Sequence, residues 1–138
     1  PETFEMSPFI IQVKNLLDDY MNKPEVDKSR IYIIGLSMGG MGVYDMVCRF
    51  PDLFAAAVSI CGSVNVQRLP KAKEVCFRIF HGEKDTAVPV ECSRQAYEVL
   101  KRCGAKVEYI EFYGCDHLSW NPAFNFPDFM DWLFEKQK

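Results

Sequence analysis

Gly35-Leu36-Ser37-Met38-Gly39 stands directly behind the apolar run Ile31-Tyr32-Ile33-Ile34, so a serine flanked by spaced glycines sits where a strand ends and a helix begins. A G-x-S-x-G turn in that context holds a serine hydroxyl clear of the chain, where it can act as a nucleophile. The glycines before and after Ser37 carry no Cβ, which lets neighbouring backbone close around the bend. The backbone N–H of Met38, directly after the nucleophile, is then the expected donor to an oxyanion at an attacked carbonyl.

A hydroxyl is inert at neutral pH until a base takes its proton, and that base needs a carboxylate to fix its tautomer. The sequence offers two histidines. His81, in Phe80-His81-Gly82-Glu83-Lys84-Asp85, ends an apolar run and is expected to brace a loop. His117, in Gly114-Cys115-Asp116-His117-Leu118-Ser119-Trp120 after the strand-like Val107 to Phe112, is the expected base. Asp85 heads a turn closed by Pro89 and is the expected acid; Asp116 ranks well below it, because adjacent loop residues rarely aim their side chains at each other. The chain order Ser37, Asp85, His117 is that of the α/β-hydrolases, not that of chymotrypsin or subtilisin. Trp120, on the same loop as His117, is a candidate wall of the acyl or alcohol pocket. Met41, with Met38, flanks the nucleophile and is a second candidate for contact with substrate.

The blocks Arg30-Ile31-Tyr32-Ile33-Ile34-Gly35-Leu36-Ser37-Met38-Gly39-Gly40, Arg49-Phe50-Pro51-Asp52-Leu53-Phe54-Ala55-Ala56, His81-Gly82-Glu83-Lys84-Asp85 with Val88-Pro89, and Asp116-His117 follow one another in order. Together they resemble the C-terminal part of an α/β-hydrolase of the phospholipase/carboxylesterase and feruloyl-esterase-like group. The resemblance implies hydrolysis of carboxylic esters by Ser37, His117 and Asp85, with no cofactor and no metal. It also implies that the first strands, and the His-Gly-Gly-type loop that supplies a second oxyanion donor, lie outside these residues. Small esters are the expected substrates, since so short a chain leaves little room for a lid. A prolyl-oligopeptidase-like peptidase shares a similar block order and is the alternative enzyme. An inactive hydrolase fragment acting as a binding module is the alternative outside catalysis.

The chain has 138 residues, 49% hydrophobic and 25% charged, with a formal charge of −3. That is the composition of one globular domain spanning 1–138, long enough for one core. A net negative chain with scattered lysines and arginines is a poor partner for nucleic acid, which needs a basic face. No apolar run approaches the length of a membrane span. The six cysteines, Cys48, Cys61, Cys76, Cys92, Cys103 and Cys115, include no close C-x-x-C pair, so no metal site is expected. Cys48, Cys61 and Cys76 are expected to act as small buried hydrophobes.

Positioning the serine, acid and base requires alternating elements. Phe9, Ile10, Val13, Leu16, Leu17 and Tyr20 recur at helical spacing behind Ser7-Pro8, predicting an amphipathic helix over about 8–21 with one buried face. Residues 31–34 predict a parallel strand covered on both faces. A helix follows from Ser37, carrying Val43, Met46, Val47 and Phe50 inward and stopping before Pro51. Strands are expected over 55–60, 75–80 and 107–112, a loop over 62–74, and helices over 90–102 and 127–136. Phe124, Phe126, Phe129, Trp132 and Phe134 are expected to cover the sheet. Four strands separated by helices predict a three-layer α/β/α architecture with a short parallel sheet, a truncated α/β-hydrolase fold. The strand before Ser37 would then have an unpaired, proline-free edge, and a homo-oligomer formed near that strand or the first helix is expected.

Overall fold

In the computed structural model, which describes residues 5–138, the apolar runs form four parallel strands: β1 (Tyr32–Leu36), β2 (Ala56–Ile60), β3 (Cys76–Gly82) and β4 (Val107–Phe112). They lie side by side in chain order, β1-β2-β3-β4. Each strand's side chains alternate between the two faces of the sheet, so odd and even positions meet different helices. Odd positions such as Ile33, Ala57, Phe77, Ile79 and Tyr109 pack with α2 (Met38–Arg49) and α3 (Glu91–Arg102). Even positions such as Tyr32, Val58, Ile60, Phe80 and Ile110 pack with the short helices α4 (Trp120–Phe124) and α5 (Phe129–Phe134). The result is the three-layer α/β/α arrangement, with helices on both faces as a parallel sheet requires.

The central strands follow the expected burial and the edge does not. Every residue of β2 is buried. Among the described residues β1 has a neighbour on one side only, and Ile34 is exposed, so the unbroken apolar run belongs here to an edge strand and not to one covered on both faces. The first helix, α1 (Pro8–Met21), starts where its signals place it: the Ser7 side chain accepts from the Ile10 N–H and proline occupies the first turn. Its expected buried face is nevertheless incomplete. Ile10 and Leu17 reach the core, while Phe9, Val13, Leu16 and Tyr20 are exposed.

Two short elements escape periodicity altogether. Residues expected to be loop include a 3-10 helix at Val66–Ala72, which buries Leu69 and Ala72, and Trp120 opens α4 instead of lying in a loop. Both segments are too brief for a helical repeat to register. Of the C-terminal aromatics, Phe129 and Trp132 are buried and Phe126 packs beside them, but Phe124 and Phe134 are about half exposed. All six cysteines are free.

Candidate active site

The bend between β1 and α2 puts Ser37 at φ 53° and ψ −119°, a conformation few non-glycine residues adopt. Its N–H donates to the Ile60 carbonyl at 2.8 Å, tying the bend to the end of β2. A Cβ on Gly35 would lie 2.2 Å from the Gly39 carbonyl oxygen, so the bend closes only over glycine there; a Cβ on Gly39 itself would meet nothing within 4 Å. The steric demand therefore falls on the first glycine of the pair. Met38 opens α2, where the first N–H groups have no acceptor within the helix and point outward with the positive end of its dipole.

β3 and β4 deliver the other two groups. Ser37 Oγ lies 2.9 Å from His117 Nε2, and His117 Nδ1 lies 2.7 Å from Asp85 Oδ2. Asp85 Oδ1 accepts from the N–H groups of Ala87 and Val88 at 2.9 and 2.8 Å. Burial of this carboxylate favours its protonated form, but the bonds from His117, Val88 and Ala87 outweigh it and hold the group below the usual carboxylate range. Asp116, the lower-ranked acid, turns away: its Oδ1 accepts from the Leu118 N–H at 2.9 Å and shapes the loop. With the Asp85 carboxylate accepting from His117 Nδ1–H, Nε2 is left unprotonated and faces the serine. A hydroxyl placed so can give up its proton as it attacks an electrophile.

His81 lies on β3, fully buried, and braces the turn that carries Asp85. Its Nε2 is 2.9 Å from the Val88 carbonyl, which can only accept, so this nitrogen carries the proton. Nδ1, 2.7 Å from Ser93 Oγ, then accepts from that hydroxyl. The same Nε2 stands 3.2 Å from Asp85 Oδ2, so two histidines flank one carboxylate. Gly82 beside it admits the base loop: a Cβ there would fall 2.2 Å from the Asp116 carbonyl oxygen.

Trp120 meets the His117 ring edge to face, with centroids 5.4 Å apart. Met41 lies with Met38 along an apolar groove of about 650 Å³ between α1, β1 and α2, which has Ile10, Val13 and Ile34 on its other walls. Ser37 and His117 do not line that groove; it opens beside the bend. Cys61, at the end of β2, is the residue that spacing gave no reason to select. Its sulphur, Asp85 and His117 bring three potential ligand atoms within 4.8 Å of one another, the one such group among the described residues.

The architecture and the strand-to-helix placement of Ser37 define an α/β-hydrolase. The solved structure of a thermostable esterase superposes on all of this chain with a TM-score of 0.93 and 36% identity, the chain spanning 39% of that protein. An acylaminoacyl peptidase from Pyrococcus horikoshii, 20% identical with a TM-score of 0.72 over 78% of this chain and 23% of its own, shares the fold. The chain belongs to the phospholipase/carboxylesterase family, whose model matches residues 5–128. Shorter likenesses join it to an acetylxylan esterase A from Emericella nidulans, 36% identical over 50 residues, 36% of this chain and 16% of that one. Poly(3-hydroxyalkanoate) depolymerase C from Paucimonas lemoignei is 35% identical over 52 residues, 38% of this chain and 13% of its own length. No helix among the described residues is long and apolar enough to cross a membrane.

Proposed function

We propose that the protein is a serine carboxylesterase, acting on small carboxylic esters through Ser37, His117 and Asp85. The observation that carries this reading is the continuous row from Ser37 Oγ through His117 to Asp85, at 2.9 and 2.7 Å, with the serine held on a strained bend. Ser37 Oγ attacks the ester carbonyl as its proton passes to His117 Nε2. Asp85 stabilises the imidazolium, and the Met38 N–H donates to the oxyanion. His117 returns the proton to the leaving alcohol, giving an acyl-enzyme that water, deprotonated by the same imidazole, then releases. Trp120 walls the site beside His117, and Met41 borders the apolar side of the bound ester. Family membership and the esterase neighbours support ester hydrolysis over the peptidase alternative, whose structural likeness extends to the fold alone.

Labelling with a fluorophosphonate, combined with turnover of chromogenic esters, tests the reading. Labelling mapped to Ser37, together with turnover that Ser37→Ala abolishes, is the expected result. Absence of both identifies an inactive binding module, and turnover by Ser37→Ala within tenfold of the parent overturns the assignment of the nucleophile.

A further inference from the structure

Cys61 is the one non-glycine residue besides Ser37, among those described, with a positive φ, 44° against 53°. Such a conformation persists where the surroundings over-determine it. Cys61 sits where all three active elements converge. The carbonyl of its neighbour Ile60 accepts the Ser37 N–H at 2.8 Å, and its own N–H donates to Phe80 on the strand leading to Asp85, also at 2.8 Å. The side chain is fully buried, and the thiol donates to the His117 carbonyl at 3.7 Å. The Ser119 hydroxyl, two residues further along the loop, is also fully buried and has no hydrogen-bond partner. Burial pushes the thiol up, which keeps its proton available for donation.

We propose that Cys61 is a positioning residue: its thiol, bonded to the His117 carbonyl, sets the base loop against the bend that carries Ser37. The thiol gives its one bond to the His117 carbonyl. Sulphur suits the place because it makes such contacts at a length where oxygen cannot; an oxygen needs about 2.7–3.0 Å, and its shorter bond to Cβ carries it away from the loop. The strained backbone is what aims the sulphur at the loop. This inference rests on the proposed roles of Ser37 and His117.

The test uses the Cys61→Ala and Cys61→Gly variants of the 138-residue chain. The rate of fluorophosphonate labelling at fixed pH, kcat and KM for p-nitrophenyl acetate, and solvent exchange of the low-field His117 Nδ1 proton in NMR are read together. Each variant is expected to slow labelling about tenfold or more, lowering kcat with KM nearly unchanged and hastening proton exchange. Cys61→Gly accepts the positive φ without strain, so it folds and isolates the sulphur from the backbone. A folded Cys61→Gly labelled within about twofold of the parent overturns the proposal. A parent that never labels refutes the proposed function instead; the His117 proton then decides, and unchanged exchange in Cys61→Gly overturns the positioning role.

Discussion

At the scale of single residues, the groups around Asp85 separate chemistry from support. Ser37→Ala and His117→Ala should each lower kcat by about 10⁴–10⁶ without unfolding the protein, and Asp85→Asn by about 10⁴, measured by ester turnover with melting curves as the control. His81→Ala differs. It removes a buried imidazole bonded to Val88 and Ser93, so the melting temperature should fall before the chemistry does. A His81→Ala protein that stays fully folded yet inert would show that His81 acts on the chemistry through Asp85, 3.2 Å away, and not only on stability. Asp85 also imposes a pH dependence on stability. Its carboxyl is depressed below its reference value of 3.8, so its contribution is complete above that value and is lost as pH falls through the lower, folded-state value. The difference in unfolding free energy between parent and Asp85→Asn should therefore shrink as denaturant titrations move from neutral pH to below about 4.

At the scale of elements, the site depends on strand ends that approach one another without intervening side chains. Gly82 ends β3 against the Asp116 carbonyl, and a methyl group there would be 2.2 Å from that oxygen. Gly82→Ala must push the loop of His117 outward. The expected outcome is a fall in kcat of about 10²-fold, because an imidazole displaced by about 1 Å no longer faces Ser37. A matching loss of fluorophosphonate labelling would locate the damage at the base loop; unchanged kinetics would show that the loop yields freely. On the sheet face covered by α4 and α5, Arg78 is almost fully buried, bonded to Glu108 and Asp128 and lying over Phe126 and Trp132. It fastens the segment that follows α4 to β3 and β4, away from the chemistry. Its two acids are about half exposed, so Arg78→Ala should destabilise mainly through lost packing, by about 1–3 kcal/mol, and Arg78→Met by less.

At the scale of the whole molecule, the described residues leave one sheet edge unpaired beside the proposed nucleophile. β1 is hydrogen-bonded to β2 alone, Ile34 is exposed there, Met38 is 81% exposed, and the adjoining groove is apolar. Unpaired strand groups next to exposed apolar surface are a template for association. We expect a chain of these 138 residues to form a dimer or higher oligomer at β1 or α1. Light scattering at micromolar concentration should give a mass above 15.9 kDa, and Ile34→Lys should shift it toward the monomer. A strict monomer with full activity would refute this.

The order Ser37, Asp85, His117, the strand before the serine and the alternation of helix with strand were legible in the sequence because each rests on local chemistry: apolar periodicity, turn residues and a motif in its context. The caps of α1 and the ends of α3 and β4 followed from the same local signals. Tertiary structure alone decided which contacts close the site. Asp116 and Asp85 are both acids near His117 in some sense, one along the chain and one in space; only packing shows Asp116 spending its oxygen on Leu118 while Asp85 meets the imidazole. The same holds for β1, whose apolar run suits an edge as well as a covered strand, since a sequence reports hydrophobicity and not the neighbour that satisfies it. Cys61 is the clearest instance. A buried cysteine looks the same along the chain whether it fills space or holds a loop, and the meeting of Cys61 with His117 exists only because parallel strands bring their distant C-terminal ends together.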